Sequence, residues 1–123
     1  MPRSILIADD TLFMRRLLRD VLRPEGYVVR EAMNGRDTLE FYDQSRPDLV
    51  MLDLALPDMD GMAVLKSLLV RDPGARVLVV SAIAADVAAP SALREGAVGY
   101  LEKPFQPAQL VEAVRCALSP AGA

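Results

Sequence analysis

The chain has 123 residues and is 52% hydrophobic, enough for one domain with a real core and too short for two. Its 14 basic residues against 17 acidic ones leave a net charge of −3, which excludes the broad basic footprint of a nucleic-acid binder. With no histidine, it lacks the commonest general base, the usual zinc patterns and any autokinase that works through its own phosphohistidine.

Strand and helix signals alternate along the chain. Residues 4–8 carry the apolar run Ile5-Leu6-Ile7-Ala8 and predict a strand that ends in Asp9-Asp10. Residues 12–23 predict a helix with Met14, Leu17, Leu18 and Val21 along one face, stopped by Pro24 and Gly26. Residues 27–31 form a second strand, ending at Glu31, and residues 35–44 a second helix, closed by Arg46-Pro47. Leu49-Val50-Met51-Leu52 runs into Asp53 and predicts a third strand over 49–53. A loop over 54–61 contains Pro57 and Gly61. A third helix over 62–71 follows, with Leu65, Leu68 and Leu69 inward, and Asp72-Pro73-Gly74 ends it.

Val77-Leu78-Val79-Val80 is a fourth strand running into Ser81. Residues 84–95 hold a fourth helix, but Pro90 lies inside it. An internal proline costs roughly 3 kcal/mol or more, whereas one in the first turn is tolerated. The expectation is therefore a short regular helix starting near Pro90, preceded by a long loop over 84–89. A helix of that length is marginal without packing, so the segment is expected to be mobile. Residues 98–103 form a fifth strand into Lys103-Pro104. Residues 107–118 form a fifth helix with Pro107 in its first turn and Leu110, Val111, Val114 and Leu118 inward. Residues 119–123 read as a short frayed tail, and 1–123 as a single domain.

The apolar runs of strands one, three and four suit strands buried on both faces of a parallel sheet. Alternating strand and helix then gives a doubly wound α/β fold with right-handed crossovers. Strands one, three, four and five end in reactive residues, whereas strand two does not. Placing strand two at an edge gives the order 2-1-3-4-5, with the switch point between strands one and three. Ligands of such sheets bind beyond the carboxyl ends of the strands, at the switch point. Asp9, Asp10, Asp53, Ser81 and Lys103 converge there.

Each of these residues alone has an ordinary reading. Acids sit at helix N-termini and in loops, serines in turns, and lysines in water. Together, three carboxylates repel one another and raise each other's pKa unless a cation compensates. Mg2+ suits that role, because it takes oxygen ligands and keeps several waters. The Lys103-Pro104 bond can be cis at modest cost, and the sequence leaves its isomer open. The lone Cys116 excludes an internal disulfide, suits a reducing cytoplasm, and reads as a small apolar helix residue. No signal peptide and no membrane-spanning run is present, so the expected location is cytoplasmic.

The stretches A-D-D-T-L-F-M-R-R-L-L (8–18), D-L-A-L-P-D-M-D-G (53–61), V-S-A (80–82) and G-Y-L-E-K-P-F (99–105) give the chain its resemblance. It resembles the response-regulator receiver domains of the CheY-like type, over nearly its whole length. CheY itself is a standard example of the 2-1-3-4-5 sheet.

The resemblance implies a phosphorylation-activated switch of a two-component system, with Asp53 as phosphoacceptor. It implies Mg2+ on Asp10, Asp53 and the backbone carbonyl of Ala55, with Asp9 acting through water. Ser81 and Lys103 would bind the phosphoryl group, and Ser81 and Tyr100 would carry the switch. Ala55 and Ile83 flank the path of attacking water. Neither can orient a water by hydrogen bonding, so slow self-hydrolysis is expected. The implied partner is a histidine kinase or a histidine phosphotransfer protein. The implied output face comprises the fourth helix, fifth strand and fifth helix, on a monomer or weak dimer. Arg15, Arg19 and Arg23 recur at every fourth position of the first helix, either as a solvated face or as a docking face for an acidic partner.

Three rivals use the same residues differently. A Mg2+-dependent phosphatase with an Asp nucleophile needs an acid two residues after it, where this chain has Ala55. A flavodoxin-like cofactor binder needs a phosphate loop after strand one, where Asp9 and Asp10 repel phosphate. A pseudo-receiver that never takes phosphate has no need of the full set of side chains present here.

Overall fold

In a computed structural model that describes residues 2–119, five parallel strands form one sheet. They are β1 (Ser4–Ala8), β2 (Val28–Ala32), β3 (Leu49–Leu52), β4 (Val77–Ser81) and β5 (Gly99–Glu102), in the order β2-β1-β3-β4-β5. The crossovers are α1 (Leu12–Leu22), α2 (Gly35–Ser45), α3 (Gly61–Arg71) and α4 (Ala85–Arg94), with α5 (Pro107–Leu118) after the last strand.

Side chains of a strand alternate between faces, and here both faces are apolar. Ile5, Ile7, Leu49, Met51, Leu78 and Val80 pack with Leu18 and Leu22 of α1 and Leu110, Val114 and Leu118 of α5. Leu6, Ala8, Val50, Leu52, Val77 and Val79 pack with Tyr42 of α2, Val64, Leu65 and Leu68 of α3, and Ala92 of α4. Burying each large aliphatic side chain contributes roughly 1.5–3 kcal/mol, so the central strands are held from both sides.

The expected strands and strand order are present, with small shifts at their ends. The second strand starts at Val28 rather than residue 27. The first helix ends at Leu22, and a single 3-10 turn over Arg23–Glu25 leads to Gly26 at φ 95°. That left-handed conformation suits glycine, which has no Cβ to clash. Of the expected tail, Ser119 is described, and residues 120–123 lie outside the described residues.

The fourth helix departs from expectation. α4 is continuous from Ala85 to Arg94, with Pro90 in its second turn and no long loop over 84–89. Its two ends are fixed. At the start, the Ala85 amide donates to a Glu102 carboxylate oxygen at 2.8 Å, and the Val87 and Ala88 amides donate to the Ala84 carbonyl. At the end, Gly96 adopts φ 109°, and the Ala97 amide reaches back to the Ala92 carbonyl at 3.0 Å. Ala92 is fully buried. Pro90 forfeits the bond to Asp86, four residues earlier, but both residues are exposed. The missing bond thus falls on a solvated face, where water can replace it.

A second correction concerns α1. Arg15 is not on a solvated basic face, because it is buried beside Leu18 and Leu22. Its Nε meets Glu31 of β2 at 3.2 Å, and Arg19 reaches the same carboxylate at 3.7 Å. The acid of the edge strand draws these arginines across the helix toward the sheet.

Candidate functional site

Parallel register sets the site. Ala8 of β1 is paired with Leu52 of β3, so Asp9 and Asp53 leave the sheet side by side. The Asp53 amide donates to the Ala8 carbonyl at 2.9 Å, and the Asp9 amide to the Ala32 carbonyl at 3.1 Å. Ser81 ends β4, and the Lys103 amide donates to its carbonyl at 2.8 Å. The Lys103-Pro104 peptide bond is cis. The five residues expected to converge therefore share one edge.

The acids differ in their surroundings. Asp9 is 2% exposed and held on all sides. Its Oδ1 accepts from the Thr11 amide and hydroxyl, both at 2.9 Å, and its Oδ2 accepts from Lys103 Nζ at 2.7 Å. The Thr11 hydroxyl also accepts from the Met14 amide at 3.4 Å, so Thr11 is the N-cap that starts α1. Asp53, 7% exposed, accepts from Lys103 Nζ at 3.1 Å and from the Ala55 amide at 3.1 Å. Asp10 is exposed. Carboxylate oxygens of Asp9, Asp10 and Asp53 all lie within 4.8 Å of one another.

Burial pulls the pKa values of both inner acids upward, with different outcomes. For Asp9, the Lys103 and Thr11 hydrogen bonds outweigh burial and hold the carboxyl below its ordinary value. For Asp53, burial prevails over the Ala55 amide and Lys103, and the neighbouring Asp9 charge adds to it, so its pKa is raised. Burial also disfavours the Lys103 ammonium, but Asp9 and Asp53 together raise its pKa. One ammonium thus pairs with two of three clustered carboxylates, an all-oxygen set with surplus negative charge that can hold a divalent cation.

The loop after β3 is tightly closed. The Gly61 amide donates to the Leu54 carbonyl at 3.0 Å, and a Cβ at Gly61 would lie 2.3 Å from the Leu54 Cα, so only glycine fits. Ala55 is exposed within this loop. On the other side of the crevice, Ser81 is buried and its Oγ accepts from the Ile83 amide at 3.1 Å. Ile83 is 42% exposed. Tyr100 is partly buried against the core, and its hydroxyl donates to the Ile83 carbonyl at 2.7 Å. Tyr100 and Glu102, on the same face of β5, therefore both hold the segment between Ser81 and α4.

The contacts of Arg15, Glu31 and Glu102, and the capping role of Thr11, were not foreseen from the sequence. Thr11 was legible as a capping residue before an apolar helix pattern. The other three act through contacts between elements distant in sequence, for which no local signal exists.

Comparison with known proteins gives a consistent answer. Residues 5–115 match the family described as the response regulator receiver domain. Chemotaxis protein CheY of Thermotoga maritima is 39% identical over 115 residues, covering 93% of this chain and 96% of that protein. Sporulation initiation phosphotransferase F of Bacillus subtilis is 36% identical over 115 residues, covering 94% and 93%. Among solved structures, a CheX–CheY–BeF3–Mg2+ complex from Borrelia burgdorferi superposes with a TM-score of 0.93 at 28% identity, covering 98% of this chain and 92% of that one. With the sheet order and the acid crevice already in place, the chain belongs to the response-regulator receiver domains, the phosphorylation-activated switches of two-component signalling.

Proposed function

We propose that Asp53 is the phosphoacceptor and that its donor is a phosphohistidine on a histidine kinase or histidine phosphotransfer protein. An Asp53 oxygen attacks phosphorus in line with the phosphorus–nitrogen bond. That bond breaks, its electron pair returns to the imidazole, and an acyl phosphate forms on Asp53. The observation that carries this reading is the placement of Asp53 beside Asp9, Asp10 and Lys103 at the switch point of the sheet.

Asp10, Asp53 and the Ala55 carbonyl are the residues that would hold Mg2+, with Asp9 acting through water. The fit rests on the all-oxygen donor set and on its excess charge over Lys103. When bound, the ion supplies positive charge against the non-bridging phosphoryl oxygens. Lys103 pairs with another of those oxygens, and the Ser81 hydroxyl donates to a third. Movement of Ser81 displaces Ile83, whose carbonyl holds the Tyr100 hydroxyl. The signal then leaves by the face formed by α4, β5 and α5.

Docking of the donor is favoured at the start of α1, beside the crevice. Leu12 is 53% exposed and Phe13 77% exposed, with Arg16 next to them. With Arg15 and Arg19 engaged by Glu31, steering of an acidic partner falls to the exposed Arg16 and to Arg23 just after the helix. The domain works as a regulatory acceptor, with slow loss of its own phosphoryl group, in the cytoplasm. Labelled phosphoryl transfer from a phosphorylated histidine phosphotransfer protein tests the reading. Transfer to the wild-type chain and none to Asp53→Asn is expected; transfer to both overturns it.

A further inference from the structure

The edge strand β2 contributes no residue to the crevice, yet its last two residues reach Asp9. The Ala32 carbonyl accepts from the Asp9 amide at 3.1 Å. Glu31 holds the guanidinium of Arg15 at 3.2 Å, and Arg15 Nη1 donates to the Asp9 carbonyl at 2.8 Å in a buried hydrogen bond. Arg15 is 8% exposed, and Glu31 also meets Arg19 at 3.7 Å. The two ends of the Asp9 backbone are thus tied to β2, one directly and one through Arg15.

The Asp9 carbonyl belongs to the peptide plane that joins Asp9 to Asp10. Fixing that plane fixes the direction in which the exposed Asp10 leaves the turn. The Asp9 carboxylate is independently pinned by Thr11 and Lys103, so Arg15 is free to act on Asp10.

We infer that Arg15, held by Glu31, is a positioning residue that sets the Asp9–Asp10 turn for cation binding. The inference rests on the reading of the acid crevice as a Mg2+ site. A buried cation near an acid cluster has two opposed effects, and they separate by sign. As a positive charge, Arg15 opposes a metal ion, so its loss tightens binding. As a clamp on the turn, it supports the ligand geometry, so its loss weakens binding. Outer-shell partners of metal ligands typically matter by roughly ten- to a hundred-fold in affinity. Lysine keeps the charge but cannot bridge Glu31 and the carbonyl as a planar fork does.

The experiment is Mg2+ titration by calorimetry on the full chain, wild type against Arg15→Met, Arg15→Lys and Glu31→Gln. Carbonyl and amide chemical shifts of the Asp9–Asp10 peptide are recorded in parallel. Mg2+ affinity should fall roughly ten-fold or more in Arg15→Met, by nearly as much in Arg15→Lys, and by less in Glu31→Gln. The Asp9 carbonyl carbon should shift upfield in both arginine variants, which a general loss of stability does not produce. Glu31→Gln keeps the size of the side chain and remains decisive if an arginine variant does not fold. Unchanged or tighter Mg2+ binding in the variants, beside a wild type that binds, overturns the clamp alone. A wild-type chain that takes up no Mg2+ overturns the reading of the crevice and the clamp with it.

Discussion

The two ends of the sheet use charge in opposite ways. At the amino end, charged groups meet neutral backbone. Arg3 donates to the Leu118 carbonyl at 3.1 Å, Arg76 to the Ala117 carbonyl at 2.9 Å and to that of Ser119, and Asp48 accepts from the Ser4 amide at 2.7 Å. These contacts fasten the last turn of α5 and the first residue of β1. At the carboxyl end, charges crowd against one another: Asp9, Asp53 and Lys103 are largely buried, with Asp10 at the rim. Charge that fastens is costly to remove. Crowded charge is retained for chemistry. Of the two inner acids only Asp53 has its pKa raised, so neutralising that one carboxylate should relieve the fold, whereas Asp9 and Lys103 are held in their charged forms.

Asp53→Asn breaks the comparison most sharply. It should abolish phosphoryl labelling while the apo melting temperature stays level or rises. The sign follows from the raised pKa of Asp53, which means that folding disfavours its charged form; this destabilisation applies above that pKa and fades as pH falls through it. A marked fall in melting temperature would contradict the geometry.

At the opposite end, Arg76→Ala should lose about 1.5–3 kcal/mol, the range for hydrogen bonds to a charged group. A shifted denaturant midpoint with an unchanged labelling rate is the expected pair of results.

A third change acts inside the carboxyl end. Ala55→Asn with Ile83→Glu should speed loss of phosphate severalfold, because amide and carboxylate side chains orient water where Ala and Ile do not. A slower or unchanged decay, followed by loss of radiolabel, would refute shielding by Ile83.

The smallest effect lies away from both ends. The buried Tyr42 hydroxyl donates to Asp72 at 2.7 Å, and burial, reinforced by Asp72, pushes its pKa up to about 12. The stability this contributes is full below the unfolded value of about 10 and lost as pH rises through about 12. Alkaline denaturation should therefore be less steep over that window for Tyr42→Phe, and labelling at neutral pH should not change.

Much of this was legible in the residues themselves. Runs such as Leu49-Val50-Met51-Leu52 announce strands covered on both faces, and the absence of a reactive residue after Glu31 put β2 at the edge. Asp9, Asp53, Ser81 and Lys103 could be placed because parallel strands present equivalent ends. Pro90 misled because the proline rule is local, whereas Glu102, Ala92 and Gly96 fix α4 from outside it. Arg15 misled in the same way. Its spacing with Arg19 and Arg23 suggests a wet face, and nothing near it in sequence reveals the partly buried Glu31 contact.

The central claim is that the crowded carboxyl end exists to phosphorylate Asp53. Its most direct test is acetyl phosphate labelling with and without Mg2+, followed by mapping of the modified residue by mass spectrometry. One phosphoryl group on Asp53, present with Mg2+ and lost on chelation, is the expected result. Labelling at another residue, or no labelling with Mg2+ present, would contradict the account.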